Sequence, residues 1–337
     1  MSKNELKTEK DIYIQKTCED AAKTRLCAGD KGYLNDEFIK YFVKKKQKFS
    51  PIMNRGTFCR FYGIQNIISS FVDTFVNEKC QVVSLGSGYD TSYFINKQRY
   101  IKRLGIQNND ALKFCKFFDI DFASVNKSKI EIISKTKPLL NFFDDSINIS
   151  SDSTELDSRD YSIISGDLRA FQPTIVKKLE KNGFDSSIPT LVLAECVLVY
   201  LDPKYSNAIV DWMDKSLDSV LFFSYEQINP FDRFGQQMIE NLRNRNIELY
   251  GLTSLPTLEH QKNRFLGDRK WQYADSVDLW TFYNTILPQD EMKRIRKLEF
   301  LDENEELNLL LEHYCFTHAY KSKNMEIVEK FKVTRFY

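Results

Sequence analysis

Two rhythms of apolar residues alternate along this chain. Short runs suited to buried strands occur at Cys80-Gln-Val-Val-Ser-Leu85, Lys116-Phe-Phe-Asp-Ile-Asp-Phe122, Tyr161-Ser-Ile-Ile-Ser165, residues 190–201 and Ser219-Val-Leu-Phe-Phe-Ser-Tyr225. Between them, the stretch from Asp90 and residues 124–140, 172–181 and 203–217 have helical spacing. Strands alternating with helices predict an α/β fold with a mainly parallel sheet and a ligand site at the strand ends. Helices come first: residues 12–49 carry one stripe (Phe38, Ile39, Phe42, Val43), and a second helix carries Phe61, Ile64, Ile67, Ile68, Phe71, Val72 and Phe75. Beyond Tyr225, residues 257–312 read as mostly helical, with a strand or turn near 271–274. Residues 313–320 and 331–337 alternate as two strands of an antiparallel hairpin. The Ser- and Asp-rich segment 144–160 reads as an exposed, mobile insertion.

Polar residues at the strand ends supply the candidate chemistry. Gly86-Ser-Gly88 follows the first strand, where glycines allow a sharp turn and close approach of backbone to a ligand. Asp119 and Asp121 alternate on the second strand, so they share a face, and either suits the acid that accepts hydrogen bonds from ribose hydroxyls. The third glycine of a dinucleotide fingerprint is absent, and the gap to these acids exceeds the roughly 20 residues such a fold uses. That argues against NAD and leaves other adenosine cofactors open. Asp167 follows the third strand, and Glu195 stands alone inside the apolar run 190–201, where an unpaired carboxylate is costly.

Composition narrows the classes. Lysine and arginine total 48 against 47 acids, so a net charge of +1 gives no global attraction to nucleic acid or membrane. Lys44-Lys-Lys-Gln-Lys48 reads as a solvated helix end. The seven cysteines are scattered without a Cys-x-x-Cys pair and read as reduced thiols. His260, His313 and His318 lack the cysteine or carboxylate neighbours of a metal site. Residues 1–10 are charged, and no apolar run reaches bilayer length, so a soluble, cytoplasmic protein is expected.

Several stretches together resemble the leucine carboxyl methyltransferases, which methylate the C-terminal leucine carboxylate of the protein phosphatase 2A catalytic subunit. They are Asn54-Arg-Gly-Thr-Phe-Cys-Arg60, Val82-Val-Ser-Leu-Gly-Ser-Gly-Tyr-Asp-Thr91, Phe118-Asp-Ile-Asp-Phe122, Gly166-Asp-Leu-Arg169, residues 189–200, Tyr225-Glu-Gln-Ile-Asn229, Asp232-Arg-Phe-Gly235, Leu298-Glu-Phe-Leu-Asp302 and His313-Tyr-Cys315. The resemblance implies a class I S-adenosylmethionine-dependent methyltransferase fold, a Rossmann-like mixed sheet. Residues 1–78 would form a helical cap and 79–337 the core, with the insertion at 144–160 and helical additions at 231–312. It also implies that Arg60 binds the methionine carboxylate of S-adenosylmethionine, joined by Arg25 where the family usually has lysine. Gly86 would pass close to the cofactor, Asp121 would hold the ribose with Asp119 as the alternative, Asp167 and Leu168 would frame the adenine, and Glu195 would accept from the ammonium.

A substrate carboxylate, with a reference pKa of about 3.3–3.7, is ionised at neutral pH and needs no general base. Orientation and desolvation are then the enzyme's work. Tyr200, Tyr225 and Arg233 follow strand ends near Glu195 and are the expected tail-pocket residues. A monomer acting on the phosphatase tail, with no nucleic-acid or membrane partner and no metal, is expected. The alternatives are methylation of a hypermodified tRNA base, a small-molecule carboxyl methyltransferase, and a non-catalytic S-adenosylmethionine-binding adaptor. The whole reading requires that Gly86 and Glu195 border one cleft.

Overall fold

A computed structural model describes residues 3–106, 115–143, 147–269, 271–302 and 304–336. The strands are β1 (Gln81–Leu85), β2 (Lys116–Asp121), β3 (Asn148–Ile149), β4 (Leu156–Asp157), β5 (Tyr161–Ser165), β6 (Thr190–Glu195), β7 (Ser219–Gln227), β8 (Tyr273–Asp278) and β9 (Tyr314–Ser322). The helices are α1 (Lys3–Asp30), α2 (Pro51–Thr74), α3 (Ser92–Leu104), α4 (Ala123–Lys135), α5 (Lys137–Leu140), α6 (Val176–Lys181) and α7 (Pro203–Ser216). They continue with α8 (Arg233–Arg243), α9 (Leu258–Leu266), α10 (Leu279–Thr281), α11 (Gln289–Arg296), α12 (Asn304–Glu312) and α13 (Met325–Val333). Among the described residues no helix is long and apolar enough to cross a membrane.

All the strands join one sheet in the order β3-β4-β5-β2-β1-β6-β7-β9-β8. β5, β2, β1, β6 and β7 run parallel, while β9 is antiparallel to β7 and β8. The order reverses at β1, with β2 on one side and β6 on the other, and such a reversal opens a crevice at the carboxyl ends of the strands. Register then decides what meets there. Leu85 lies opposite Ile120 and Ala194, and Glu195 opposite Tyr225, so Gly86, Asp121, Glu195 and Tyr225 gather along one edge.

The continuous apolar strands are buried on both faces, as a covered parallel sheet requires. Val82, Leu191 and Leu221 enter one core, whereas Val83, Val192 and Val220 enter the other. α2 starts at Pro51 with Ser50 as its cap, and its stripe Ile64, Ile67, Ile68, Phe71 and Val72 packs in the first of these cores with Phe223 and Phe316. Gly63 sits directly against the Phe316 ring, leaving no room for a side chain. Ala22 and Leu26 of α1 join the same core, so α1, α2 and the sheet share one apolar interior.

Three expectations change. Residues 31–49 are not a continuous helix: Asp36 Oδ1 accepts from the N–H groups of Phe38 and Ile39, both at 3.0 Å, and sets a single 3₁₀ turn, Ile39–Tyr41, that still buries Phe38, Ile39 and Phe42. The Ser- and Asp-rich segment is not a wholly exposed loop over its described part. β3 and β4 add an antiparallel hairpin to β5, Ser150 Oγ donates to Asp152 at 2.7 Å, and Leu156 and Asp160 are buried; residues 144–146 lie outside the described residues. Residues 331–336 are not a strand. Asn324 caps α13 by accepting from Glu326 N at 2.9 Å, and Val328 and Phe331 bury at helical spacing; Tyr337 lies outside the described residues.

Asp119 is withdrawn from the carboxyl edge. Lys129 Nζ and Tyr161 Oη both donate to it at 2.6 Å, and the Lys129 and Asp119 side chains are 0 % and 5 % exposed. This pair fastens α4 beneath β2. Removing one partner of a buried pair leaves the other charge uncompensated, so Lys129→Met is expected to destabilise the fold by about 3–5 kcal/mol. Denaturant unfolding measures this, and a loss near zero would show that Asp119 neutralises without its lysine.

Candidate functional site

The crevice is a cavity of about 850 Å³, bordered by the strand ends, by α1 and α2, and by α8. Gly86 and Glu195 both line it, so the shared cleft exists. Gly86 and Gly88 have φ of +59° and +49°, the left-handed region. A Cβ on Gly86 would lie 2.5 Å from Val197, and one on Gly88 would lie 2.9 Å from Cys18 of α1. Ser87 N donates to Ile120 O at 3.0 Å and pins the turn to β2, while the buried Ser87 Oγ has no protein partner.

Asp121 faces the same space. It accepts from Gly88 N and Phe122 N, each at 2.7 Å, and burial pushes its carboxyl up to about 6 against those two N–H groups. Opposite, Arg60 Nε donates to Glu195, and the Arg60 guanidinium lies 5.1 Å from the Tyr225 ring centre. Burial pulls the Arg60 pKa down, but Glu195 and the neighbouring Cys196 and Tyr225 outweigh it, so the net shift is upward and the cation is secure. Glu195 thus has the partner that its apolar context demands. Just past it, Cys196 has φ +53°, a conformation costing about 1–2 kcal/mol for a non-glycine residue.

Arg25 also lines the cavity, yet it faces two carboxylates where Arg60 faces one. Its Nη1 donates to Asp90 at 3.0 Å, Nε stands 3.4 Å from Asp36, and the Phe61 ring lies 4.8 Å away. Two carboxylates therefore balance its charge. Leu168 presents an apolar wall, whereas the Asp167 carboxylate is engaged by Arg169, whose other edge grips Asp11 of α1 at 2.6 Å. α1 is tied down further by Lys10 to Glu248 at 2.8 Å and by Arg245 to Asp20.

Tyr200, after β6, and Tyr225, which lies within β7 and not past its end, both line the cavity, and Arg233 does not. Asp232 caps α8, accepting from Gly235 N at 2.7 Å, and Arg233 is left exposed on the first turn. The cavity side of α8 is Phe234, Gln237, Met238 and Asn241, at helical spacing. Sequence reasoning also missed Gln227 and Tyr314. Gln227 was legible, because strand alternation puts it on the same face as Tyr225. Tyr314 stacks on Tyr225 at 5.2 Å and 7° through a pairing of β7 with β9 that no local pattern announces.

The donor set fits an elongated ligand with vicinal hydroxyls at one end and a zwitterionic amino acid at the other. Asp121 offers a carboxylate beside a turn with no side-chain bulk, the Ser87 hydroxyl is buried without a protein partner, and Arg60 and Glu195 are complementary to a carboxylate and an ammonium. Among the described residues no cluster of three or more His, Cys, Asp or Glu is placed to hold a metal ion.

Comparison with known proteins is consistent with this geometry. A family model described as leucine carboxyl methyltransferase matches residues 13–214. The chain is 37 % identical over 306 residues to an Arabidopsis thaliana leucine carboxyl methyltransferase 1 homolog, covering 91 % of this chain and 88 % of that protein. It is 32 % identical to the tRNA wybutosine-synthesizing protein 4 of Rattus norvegicus, covering 91 % of this chain but 44 % of that longer protein. The solved structure of a Thermobifida fusca protein described as a methyltransferase superposes with a TM-score of 0.50 at 12 % identity, over 84 % of this chain and 92 % of that one, a likeness of fold.

Gly86→Ala is expected to destabilise the protein by about 1–2 kcal/mol or more, since alanine meets both the positive φ and Val197. A thermal melt checks it, and an unchanged midpoint would show that the turn and Val197 adapt freely.

Proposed function

Because the chain belongs to the leucine carboxyl methyltransferase family, we propose that it methylates the C-terminal leucine α-carboxylate of the protein phosphatase 2A catalytic subunit, forming a methyl ester and so regulating holoenzyme assembly. The methyl donor is S-adenosylmethionine, which when bound supplies an electrophilic methyl group on a sulfonium. Identity favours this over the tRNA reading, since the chain is 37 % identical to the Arabidopsis relative and 32 % identical to the tRNA wybutosine-synthesizing protein. The observation that carries the proposal is the Arg60–Glu195 pair at the carboxyl edge, inside the same cavity as Gly86 and Asp121.

In this reading Arg60 binds the methionine carboxylate and Glu195 accepts from the ammonium. Arg25 adds positive potential on the same side, screened by Asp36 and Asp90. Asp121 accepts from the ribose hydroxyls, the Gly86 turn allows backbone to approach, and Leu168 with Asp167 frames the adenine. Asp119 has no part in it, being buried against Lys129 and Tyr161.

The leucine carboxylate enters beside Tyr200, Tyr225, Gln227 and Tyr314. Burial raises all three phenols, Tyr314 to about 12, so at neutral pH they are hydroxyl donors and not bases. That suits a nucleophile ionised before it arrives. The chain's work is to orient that carboxylate and strip its water, and aromatic walls do both without adding fixed charge that would favour the ionic ground state. The proposed setting is cytoplasmic, the working unit a monomer, and no nucleic acid or membrane takes part.

Labelled S-adenosylmethionine incubated with the phosphatase catalytic subunit is expected to label the intact tail and not a tail lacking its terminal leucine. Transfer that survives loss of the leucine would reject this substrate. Arg60→Ala and Glu195→Ala are each expected to weaken S-adenosylhomocysteine binding at least about thirtyfold, as loss of a charged partner costs about 2–5 kcal/mol. Near-normal calorimetric binding with an unchanged circular dichroism spectrum would show the role misassigned.

A further inference from the structure

Glu226 follows Tyr225 on β7 and points to the other side of the sheet, away from the cavity. It is 4 % exposed. Its carboxylate is nevertheless tied to the active edge. The segment after Glu195 turns through the left-handed Cys196 into a 3₁₀ turn, Leu198–Tyr200, whose N-cap residue Val197 supplies no side-chain cap. The N–H groups of Val197, Leu198 and Val199 are buried and would be left unpaired. All three converge on Glu226: Val197 N and Leu198 N donate to Oε1 at 3.2 and 3.0 Å, and Val199 N donates to Oε2 at 3.3 Å. Successive N–H groups aimed at one point form an anion-binding concavity, here filled by a side chain of the same fold.

We propose that Glu226 is the positioning residue of the site, holding segment 195–200 in the one conformation that sets Glu195 and Tyr200 into the cavity and Val197 against the Gly86 turn. An ionised carboxylate is needed for this, because it only accepts. A neutral carboxyl or an amide places a donor against one of the three N–H groups. Burial raises the Glu226 carboxyl to about 7, opposed by the three N–H groups and by Arg264. Arg264 of α9 borders, with Glu226, a separate cavity of about 100 Å³ behind the segment. Its Nε and Nη2 make no protein hydrogen bond, so it supplies positive potential while both Glu226 oxygens stay with the segment.

The charged and titratable groups around Glu226 leave the neutral range clear. Cys196 and Tyr200 on the segment and Cys315 on β9 are all raised by burial, and Arg264, with Arg269 and Asp211 beyond it, is lowered to about 10 by burial and by Arg269. None of these groups changes charge between about pH 6.5 and pH 8, and Glu226 does; Asp121 in the cavity, at about 6, alters binding by less than about 1.5-fold over that range.

The inference rests on the cofactor reading above, and the test uses the full chain with S-adenosylhomocysteine as probe. Wild-type affinity is expected to fall about fourfold between about pH 8 and pH 6.5, the loss produced by protonating one required carboxylate of pKa about 7. Glu226→Gln should bind at least about tenfold more weakly at pH 8 and show no such dependence. Arg264→Gln should move the wild-type midpoint upward, since the cation that favours the ionised form is gone. If Glu226→Gln matches wild type at both pH values, or if wild-type affinity is flat across this window, the inference falls while the cofactor reading stands. The wild-type profile decides the matter even if a variant fails to fold. A wild-type chain that binds no S-adenosylhomocysteine at all would overturn both.

Discussion

Arg60 and Glu195 reach each other from elements 135 residues apart, and almost everything else in the molecule is arranged so that they do. Glu195 ends an apolar strand, where an unpaired carboxylate is expensive. Arg60 rides on a helix whose opposite side is packed in the sheet's own core. Their meeting marks the reversal of strand order at β1 and β6, the place where a doubly wound sheet leaves its strand ends uncovered. Under the proposed function, a zwitterion entering there would replace one internal ion pair with two external ones, so the charge of the site would stay balanced throughout.

The parts of the fold legible in the sequence were those decided locally. β1, β2, β5, β6 and β7 are continuous apolar runs bounded by glycine, proline or acids, and a parallel sheet covered on both faces gives such runs no alternative. The C-terminal residues misled because Phe331 and Val333 fit a two-residue alternation read over too short a window, and only the cap at Asn324 and the burial of Val328 with Phe331 select the helix. The Ser- and Asp-rich stretch has the composition of a loop, but Leu156 buries against β5 and the Asp160 carboxylate against Tyr93 and Lys97 of α3, which composition does not encode.

The site divides in the same way. Gly86, Asp121 and Glu195 are strand-end residues, and their convergence followed from the architecture once the strands were known. Asp119 and Asp121 share a face and were indistinguishable by alternation; the lysine ten residues on, one helix away, removes Asp119 from the cavity. Arg233 was chosen for proximity in sequence, whereas a helix presents to its neighbour the residues three and four positions apart. Tyr314 depends on a long-range antiparallel pairing, which no short stretch of sequence reveals.

The two helices that roof the cavity are attached by different forces. α2 is sealed by buried aliphatic and aromatic side chains, with a glycine pressed on a ring. The outer face of α1 rests on Asp11–Arg169, Lys10–Glu248 and Asp20–Arg245, contacts that border solvent. Mobile ions screen exposed charges over about 8 Å at physiological ionic strength and scarcely reach buried apolar contacts. Ionic strength therefore acts on the outer face of α1 and not on α2, and the buffer's salt content bears on how firmly the stretch from Lys10 to Asp20 lies over the chamber while Ala22 and Leu26 stay sealed in the core.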